Sequence, residues 1–370
     1  MRGTMVLGLL GSIGLVLAGC QKKADEPQPE PSPKAAARET PPAPTPPPAP
    51  APKSGTELAE AYKKCMAAWD AKDENTVASC WAENASAEVV DFGQPAVTGR
   101  KEIIDKLNRP NWTAFPDGKD EPILIAVSGH QLAAFDRITG TNKGELHGMA
   151  ATGKKVTFHV AHLIDVDDQG EFEHSRGYGD MGNVLAQLGH SPKPARAALD
   201  PGWNETKVVI AGDTPDERSN ADAAARLREA FNAHDIAAMV AVCTDDVAEK
   251  DYGSQEAAKG KKAMEQGLKA FFTAFPDIKI AVDKQFAAGD WVIENGTLTG
   301  TNSGDMPAMK MKKTGKSVAI GYLEFMRFQG GKLAEVHRFY NGMAFAQQLG
   351  MIPEGKAGEG GSGKKAAKTK

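Results

Sequence analysis

TAFPD at residues 113–117 occurs again, unchanged, at residues 273–277, and this repetition decides how the chain folds. TGTNKG at residues 139–144 is matched by TGTNSG 160 residues later, and QLG occurs at residues 187–189 and 348–350. A period of about 160 residues is too long for a solenoid repeat. Each copy, of roughly 130 residues, has the usual size of one domain. The sequence therefore predicts two complete copies of one fold.

Residues 1–19 have the pattern of an export signal. The apolar run from Met5 to Ala18 is too short for a comfortable membrane span but suits the core of a signal peptide. It ends in LAGC at residues 17–20, which resembles the lipobox of bacterial lipoproteins. The resemblance implies that Cys20 is lipidated, for example with palmitate, and anchors the chain in a membrane. An ordinary signal peptide with an incidental cysteine is the alternative.

A tether at residues 20–55 and a Gly/Lys-rich tail at residues 353–370 are both predicted to be disordered. Twelve of the 23 prolines fall within this tether, which favours an extended chain that holds the folded part away from the membrane. By resemblance to the sorting rule of enterobacterial lipoproteins, Gln21 implies the outer membrane, facing the periplasm or the cell surface. The formal net charge of −4 argues against nucleic acid as a partner.

Apolar periodicity predicts three helices, then a run of antiparallel strands, then a closing helix in each copy. The first helix presents one apolar face from Leu58 to Trp69, and Gly189 ends the last helix of the first copy. Residues 191–220 form the linker, in which an apolar run at residues 208–211 fits a short added strand. This order of elements is an α+β pattern.

Five short motifs follow in the same order in both copies: FPD, GTxxG, TGK, a glycine-bearing hairpin turn, and QLG. In this respect each copy resembles the SnoaL-like polyketide cyclase and ester cyclase group of the NTF2-like superfamily. The resemblance implies two tandem cone-shaped α+β barrels, at residues 56–190 and 221–352, each with a pocket inside the cone. NTF2-like modules commonly pair through their sheets, so the resemblance also implies an intrachain pseudo-dimer or a homodimer.

The two hairpin turns predict which residues of the last strands face each other. A Gly-Gly turn in the second copy places Glu324 opposite His337, and a three-residue loop in the first places His162 opposite Arg176. Strand alternation then gathers titratable and aromatic side chains on one face, as expected for a pocket. The predicted pocket residues are His162, His174, Arg176, Tyr178, Tyr322, Glu324, His337 and Asn341.

One position carries the family's catalytic acid. In the cyclase group, the residue seven positions before the Gln of QLG is an Asp that acts as general acid/base in ring closure. Here it is Asp180 in the first copy and Asn341 in the second. Both residue types cap helices well, but an amide has no useful pKa. Asp180 is therefore the candidate general acid/base, with a purely structural helix cap as the alternative.

The cysteines and histidines of the first copy predict structure rather than metal chemistry. Cys65 and Cys80 lie on the inward faces of adjacent helices, and export favours a disulfide between them, with two buried thiols as the alternative. His159 and His162 are three apart on a strand, so they point to opposite faces and cannot share a metal. No metal and no cofactor are expected.

Two functions fit these observations. The first is an exported, lipid-anchored enzyme that resembles a cyclase or isomerase and uses acid–base catalysis, without a metal, on a small apolar organic molecule. The second is a non-catalytic lipoprotein that holds a small ligand or a partner in the same barrels. Asp180 favours the enzyme, whereas Asn341 and export away from cytoplasmic biosynthesis favour binding.

Overall fold

The computed structural model describes residues 51–191, 194–307 and 311–352. The predicted signal peptide, the lipidated Cys20, the tether up to residue 50 and the tail from residue 353 lie outside the described residues. Within the described ranges, no helix is both long and apolar enough to cross a membrane.

Capping residues set the start of the first helix in each domain. The Ser54 side chain accepts a hydrogen bond from the Glu57 backbone, and the Glu57 carboxylate accepts one from the Ser54 backbone. Thr214 and Glu217 form the same capping box in domain 2. The elements of domain 1 are α1 (Gly55–Ala71), α2 (Glu74–Ser79), β1 (Trp81–Val89), β2 (Val97–Thr98), α3 (Arg100–Ile103), a π-helical turn (Ile104–Asn108), α4 (Arg109–Ala114), β3 (Lys119–Ser128), β4 (Gln131–Thr141), β5 (Lys155–Val166), β6 (Phe172–Tyr178) and α5 (Met181–Leu188).

A linker strand joins domain 1 to a second set of elements in nearly the same order. These elements are β7 (Lys207–Ile210) in the linker, followed in domain 2 by α6 (Pro215–Ala233), α7 (Ile236–Ala241), β8 (Cys243–Asp251), β9 (Glu256–Lys259), α8 (Lys261–Ala274), β10 (Lys279–Ala288), β11 (Trp291–Thr301), β12 (Ser317–Gln329), β13 (Lys332–Tyr340) and α9 (Gly342–Gln348). The chain is thus a tandem pair of α+β domains, as the sequence predicts.

Each domain has one open, mixed sheet. The strand order is β2-β1-β6-β5-β4-β3-β7 in the first sheet and β10-β11-β12-β13-β8-β9 in the second. The apolar linker run forms β7, which pairs in parallel with β3. The sequence analysis missed β1 and β8, which run parallel to β6 and β13. Their alanine and acidic residues are poor strand formers, so local propensity gave no strand signal there.

The family motifs hold loops in place. In FPD, the Asp117 carboxylate accepts hydrogen bonds from the Thr141 backbone and hydroxyl at 2.8 and 2.7 Å. In GTxxG, the buried Asn142 amide donates to the Gly144 carbonyl and accepts from the Thr152 backbone, both at 2.8 Å. Asp277 and Asn302 make the equivalent bonds in domain 2. The polar residues of these motifs therefore hold the loops that specify the fold.

Both final hairpins contain a β-bulge that shifts the predicted pairing. The turns form as predicted, with Gln329 opposite Lys332. An irregularity follows each turn, so that His162 faces Gly177 and Glu324 faces Arg338. The predicted pairs of His162 with Arg176 and of Glu324 with His337 are therefore wrong. A bulge inserts one extra residue on one strand, and beyond it every side chain changes face.

The two sheets pack against each other through a buried aromatic cluster. Phe135 of domain 1 lies with its ring centroid 5.4 Å from those of Phe325 and Phe339 of domain 2. Lys284 of domain 2 forms an ion pair with Asp165 of domain 1. Domain 2 thus covers one face of the domain 1 sheet and leaves the helices of domain 1 on the other face.

Candidate functional site

A cavity of about 310 Å³ lies between the helices of domain 1 and the other face of its sheet. Its wall is mainly apolar and aromatic, and the volume is at the lower end of the range for small-molecule sites. Met66, Ile103 and Leu107 come from the helices, and the strands add Val160 and Ile164. The aromatic rings on the wall include Tyr62, Trp69, Trp81, Phe115, Phe158 and Phe172.

Three polar side chains meet where two of them, Tyr62 and His162, line this wall. Asp136 on β4 has an exposed fraction of 0 %, and its Oδ2 atom accepts a hydrogen bond from the Tyr62 hydroxyl of α1. The Nε2 atom of His162 on β5 lies 3.9 Å from the same oxygen. Tyr62 and His162 both line the cavity. A helix and two neighbouring strands therefore bring an acid, a phenol and an imidazole together beside an apolar space.

A second acid lines the cavity next to this group. The backbone amide of Asp120 donates to Asp70 at 2.7 Å, which fixes the start of β3 against the end of α1. Asp120 is itself part of the cavity wall. Burial raises the pKa of the Asp120 carboxyl well above its usual range, and the nearby Asp136 charge adds to the effect.

Burial dominates the ionisation of all these groups. It raises the pKa of Asp136 to about 7, although the Tyr62 hydrogen bond opposes the shift. It lowers the pKa of His162 to about 4, so this imidazole is neutral at pH 7. It also raises the pKa of Tyr62 well above its usual range, so the phenol keeps its proton. The group can thus exchange a proton at Asp136 near neutral pH while its neighbours stay uncharged.

The structure places only one of the predicted domain 1 pocket residues, His162, on the cavity wall. Because of the bulge, the β6 positions that line the cavity are Phe172, Ser175 and Gly177. The prediction that His174, Arg176 and Tyr178 line the pocket is therefore wrong. His174 is exposed, Arg176 lies 3.5 Å from Glu88, and Tyr178 joins the aromatic cluster between the domains.

Asp180 lies at a helix cap rather than on the cavity wall. Its Oδ1 atom accepts a hydrogen bond from the Gly182 backbone at 3.1 Å and so caps α5. Its Oδ2 atom accepts one from Arg196 at 2.9 Å, and the side chain is only 3 % exposed. Burial raises the pKa of Asp180, and the Arg196 charge opposes this shift. The predicted acid/base is therefore engaged by its own helix and by the linker.

The predicted residues of domain 2 divide between its interior and the interface. Tyr322 and Glu324 lie inside, where Tyr322 donates to Glu294 at 2.9 Å and Glu324 pairs with Arg338. Ion pairs thus occupy the interior in the region where domain 1 has its cavity.

The other two domain 2 residues, His337 and Asn341, lie at the contact between the domains, so the prediction that they line a pocket is wrong. His337 is fully buried between the domains, with its ring 5.1 Å from that of Phe135. Asn341 caps α9 through the Met343 and Ala344 backbone and donates to the Asp91 carbonyl of domain 1 at 3.0 Å. Both positions serve the contact between the domains.

Asp120 and Asp136 were not predicted from the sequence, and Tyr62 lies within the apolar face predicted for the first helix, from Leu58 to Trp69. A comparison of the two copies contains the signal, because aligned strands place Ile280 and Gly296 where domain 1 has these two acids. Acids inside apolar strands of one copy only are retained for something other than the shared fold.

The sulfur atoms of Cys65 and Cys80 are bonded in the structure, with their Cα atoms 6.1 Å apart. The bond joins α1 to the end of α2 beside Trp81 of the cavity wall. In the described ranges, no cluster of three or more His, Cys, Asp or Glu side chains has the geometry to hold a metal ion.

An open mixed sheet packed on helices, present twice, is an NTF2-like architecture. The family model described as SnoaL-like polyketide cyclase matches residues 59–188 and again residues 221–349. The chain therefore belongs to the SnoaL-like polyketide cyclase family, with two family domains in tandem.

Solved structures with this fold each match part of the chain. A candidate SnoaL-like polyketide cyclase of Jannaschia sp. CCS1 has 19% identity and a TM-score of 0.35, covering 41% of this chain and 100% of its own. IdmH, a candidate polyketide cyclase of Streptomyces antibioticus, has 22% identity and a TM-score of 0.32, covering 35% and 98%. TsrD of Streptomyces laurentii has 15% identity and a TM-score of 0.34, covering 38% and 100%. No curated protein matches the chain.

Proposed function

We propose that domain 1 is a cyclase- or isomerase-like acid–base catalyst for a small, mostly apolar organic molecule. The observation that carries this proposal is the buried group of Asp136, Tyr62 and His162 beside an aromatic cavity. Such a group can move a proton on a ligand that is shielded from water.

Each residue of the group has a distinct part in the proposed reaction. Asp136 has a pKa of about 7, so near neutral pH it can take a proton from a carbon acid and return it to another atom. Tyr62 stays protonated, and once Asp136 has taken a proton the Tyr62 hydroxyl can turn its single hydrogen bond from Asp136 to an oxygen that gains negative charge. His162, neutral at pH 7, orients the carboxyl or the ligand through its Nε2 atom.

Domain 2 is proposed to be a non-catalytic copy. Its position equivalent to His162 holds Glu324, and Gly296 replaces Asp136. Its interior carries the ion pairs of Arg228 with Glu294 and of Arg338 with Glu324. A charged interior of this kind supports a structural role, in which domain 2 covers the sheet of domain 1.

A second candidate function is binding without turnover. Binding without turnover is favoured by the Tyr62 hydroxyl. This hydroxyl already donates a hydrogen bond to Asp136, and its oxygen could also contact the polar end of a ligand and hold it in place. The same cavity would then store or deliver a small molecule, or receive a partner, without chemistry.

Proton abstraction can be assayed without knowing the substrate. A base that removes the C3 proton of 5-nitrobenzisoxazole breaks its N–O bond and yields a coloured cyanophenolate. We expect the full chain to show saturable activity with this probe and Asp136→Asn to lower kcat by about 100-fold or more. Asp283→Asn makes the same chemical change on the exposed surface of β10 and is the matched control.

The outcomes separate the two candidate functions. Saturation by the probe shows that it enters the cavity, and quenching of the fluorescence of Trp69 and Trp81 gives its affinity. Binding with equal activity in wild type and Asp136→Asn would rule out the enzyme and leave the binding function. Failure of the probe to bind to the wild-type chain would count against the cavity as a ligand site.

We also propose that the protein is exported and anchored through lipidated Cys20, with the outer membrane as its location. The support is the sequence pattern LAGC after a short apolar run. Detergent phase partitioning tests it, because the wild-type chain should enter the detergent phase and Cys20→Ser should stay in the aqueous phase. Equal partitioning of the wild-type chain and Cys20→Ser would contradict anchoring through a lipid on Cys20.

A further inference from the structure

Among the described residues, Asp120 and Asp136 of domain 1 have no positively charged partner. The Oδ1 atoms of both are buried and accept no hydrogen bond from any described residue. Asp136 Oδ2 is engaged by the Tyr62 hydroxyl, which is neutral, and by His162, which is neutral at pH 7. Across the described ranges, no lysine or arginine forms an ion pair with either carboxylate.

The basic groups near the cavity are paired elsewhere. Lys119, next in sequence to Asp120, pairs with Asp70 at 3.3 Å. Lys106 on the cavity wall pairs with Glu102 at 2.9 Å. Apart from Asp120, the only acid on the wall, among the residues described, is Glu88, and Arg176 lies 3.5 Å from it. The acids at this site that lack a charged partner among the described residues are therefore Asp120, on the wall, and Asp136, which is hydrogen-bonded to the wall residue Tyr62.

Two unpaired acids are costly to bury. Burial raises the pKa of both, so without a counter-charge they tend to hold protons. A wholly apolar ligand would displace water and leave the two Oδ1 atoms without a partner. A ligand that brings a positive charge would instead give the Asp120 carboxylate a charged partner and stabilise its ionised form.

The wall beside these acids is suited to a cation as well. Tyr62, Trp69, Trp81 and Phe172 present rings to the cavity, and the negative faces of aromatic rings attract ammonium groups. Trp69 packs close to the start of β3, since a side-chain carbon at Gly118 would lie 3.3 Å from its ring. Carboxylates combined with aromatic rings favour an organic cation over a hydrated metal ion, which needs several oxygen ligands.

We propose that the ligand of the domain 1 cavity is an organic amine, whose ammonium group pairs with Asp120 while its apolar body lies against the aromatic rings. This inference rests on the proposed function in that it takes the same cavity as the ligand site. It adds a charge to the expected ligand and a role to Asp120, which holds that charge beside the proton-transferring Asp136.

A matched pair of probes tests the charge directly. N,N-dimethylbenzylamine is protonated at neutral pH, and isobutylbenzene has the same shape with carbon in place of nitrogen. With the full chain, we expect the amine to bind about 10-fold or more tightly than isobutylbenzene, by tryptophan quenching or calorimetry. Asp120→Asn should weaken amine binding by about 10-fold and change isobutylbenzene binding by less than about 2-fold. Asp283→Asn should change neither.

Each result supports or overturns the inference. Equal affinity of wild type for the two probes overturns it, and activity towards 5-nitrobenzisoxazole that persists in that case leaves the proposed function standing. Binding of neither probe overturns the inference, and the assay with 5-nitrobenzisoxazole then decides the proposed function. Loss of affinity for both probes in Asp120→Asn would mean that Asp120 maintains the shape of the cavity and does not recognise the charge of the ligand. Circular dichroism establishes that each variant is folded. If a variant does not fold, the comparison of the two probes with the wild-type chain still tests the inference.

Discussion

At the scale of single residues, Asp136 links stability to pH through one buried proton. Its pKa of about 7 in the folded protein lies well above that of a carboxyl in an unfolded chain. The folded state thus holds a proton that the unfolded state releases, so stability falls as pH rises from about 4 to about 7. Asp136→Asn removes the charge, and we expect it to raise the free energy of unfolding by about 4 kcal/mol near pH 8 and little near pH 4.

Urea unfolding of Asp136→Asn and wild type at both pH values measures this difference. The pKa of Asp120 is shifted in the same direction, so the comparison uses the change between the two proteins and not the slope of either. Asp283→Asn on exposed β10 should leave the pH profile of wild type unchanged. A difference between Asp136→Asn and wild type that is the same at both pH values would contradict a raised pKa.

A second prediction at this scale concerns Asp180, which the structure engages as a helix cap. Asn341 already caps the equivalent helix in domain 2. Asp180→Asn keeps the cap and loses the ion pair with half-exposed Arg196, so we expect a cost of about 1 kcal/mol or less. Asp180→Ala should cost about 1–2 kcal/mol. Urea unfolding checks both values.

Kinetics with 5-nitrobenzisoxazole complete the test of Asp180. If the residue is only a cap, kcat in Asp180→Asn should stay within about 2-fold of wild type, whereas Asp136→Asn loses it. A large fall in kcat for Asp180→Asn, with the probe bound as before, would restore Asp180 as the acid/base.

At the scale of helices and strands, the hairpin turns were predictable from the sequence but the neighbouring bulges were not. Gly170, Gly330 and Gly331 have positive φ of 74°, 57° and 72°, as their hairpin turns require. The bulge next to each turn has no required residue type, so nothing in the sequence marks the extra residue. One extra residue in each domain therefore moves a predicted pocket residue, Arg176 in domain 1 and His337 in domain 2, to the opposite face of its strand. Site residues on strands could thus be proposed from the sequence but not assigned to a face.

The link between α1 and α2 gives a prediction at the same scale. A disulfide across a separation of 15 residues restricts the unfolded chain, which is worth about 3 kcal/mol in the loop-entropy model. Reductant should lower the free energy of unfolding of wild type by about this amount. The double variant Cys65→Ser, Cys80→Ser should be equally unstable with and without reductant. Insensitivity of wild type to reductant would show that the two thiols are free.

At the scale of the whole molecule, the tandem fold was predictable because its motifs build loops. Asp117 and Asn142 anchor their loops through backbone hydrogen bonds, and Asp277 and Asn302 repeat the arrangement in domain 2. Such contacts depend on local spacing, which a sequence displays directly. The cavity group of domain 1 depends on three separate elements and on Asp136, which has no counterpart in the second copy. Long-range placement of this kind leaves no local pattern.

The aromatic cluster between the sheets predicts how the molecule unfolds. Phe135 and Leu132 are both fully buried on β4, but Phe135 contacts domain 2 whereas Leu132 packs under the helices of domain 1. We expect wild type to unfold in a single calorimetric transition, because separating the domains would expose the cluster to water. Leu132→Ala should lower stability by about 3 kcal/mol and keep the single transition.

Phe135→Ala should lower stability by a similar amount, about 3–5 kcal/mol, but also split the transition, because it removes the ring that packs on Phe325 and Phe339. A van't Hoff enthalpy well below the calorimetric enthalpy in this variant alone would show the lost coupling. Two transitions in wild type would mean that the domains unfold independently. In that case the coverage of the domain 1 sheet by domain 2 would contribute little to the stability of the cavity.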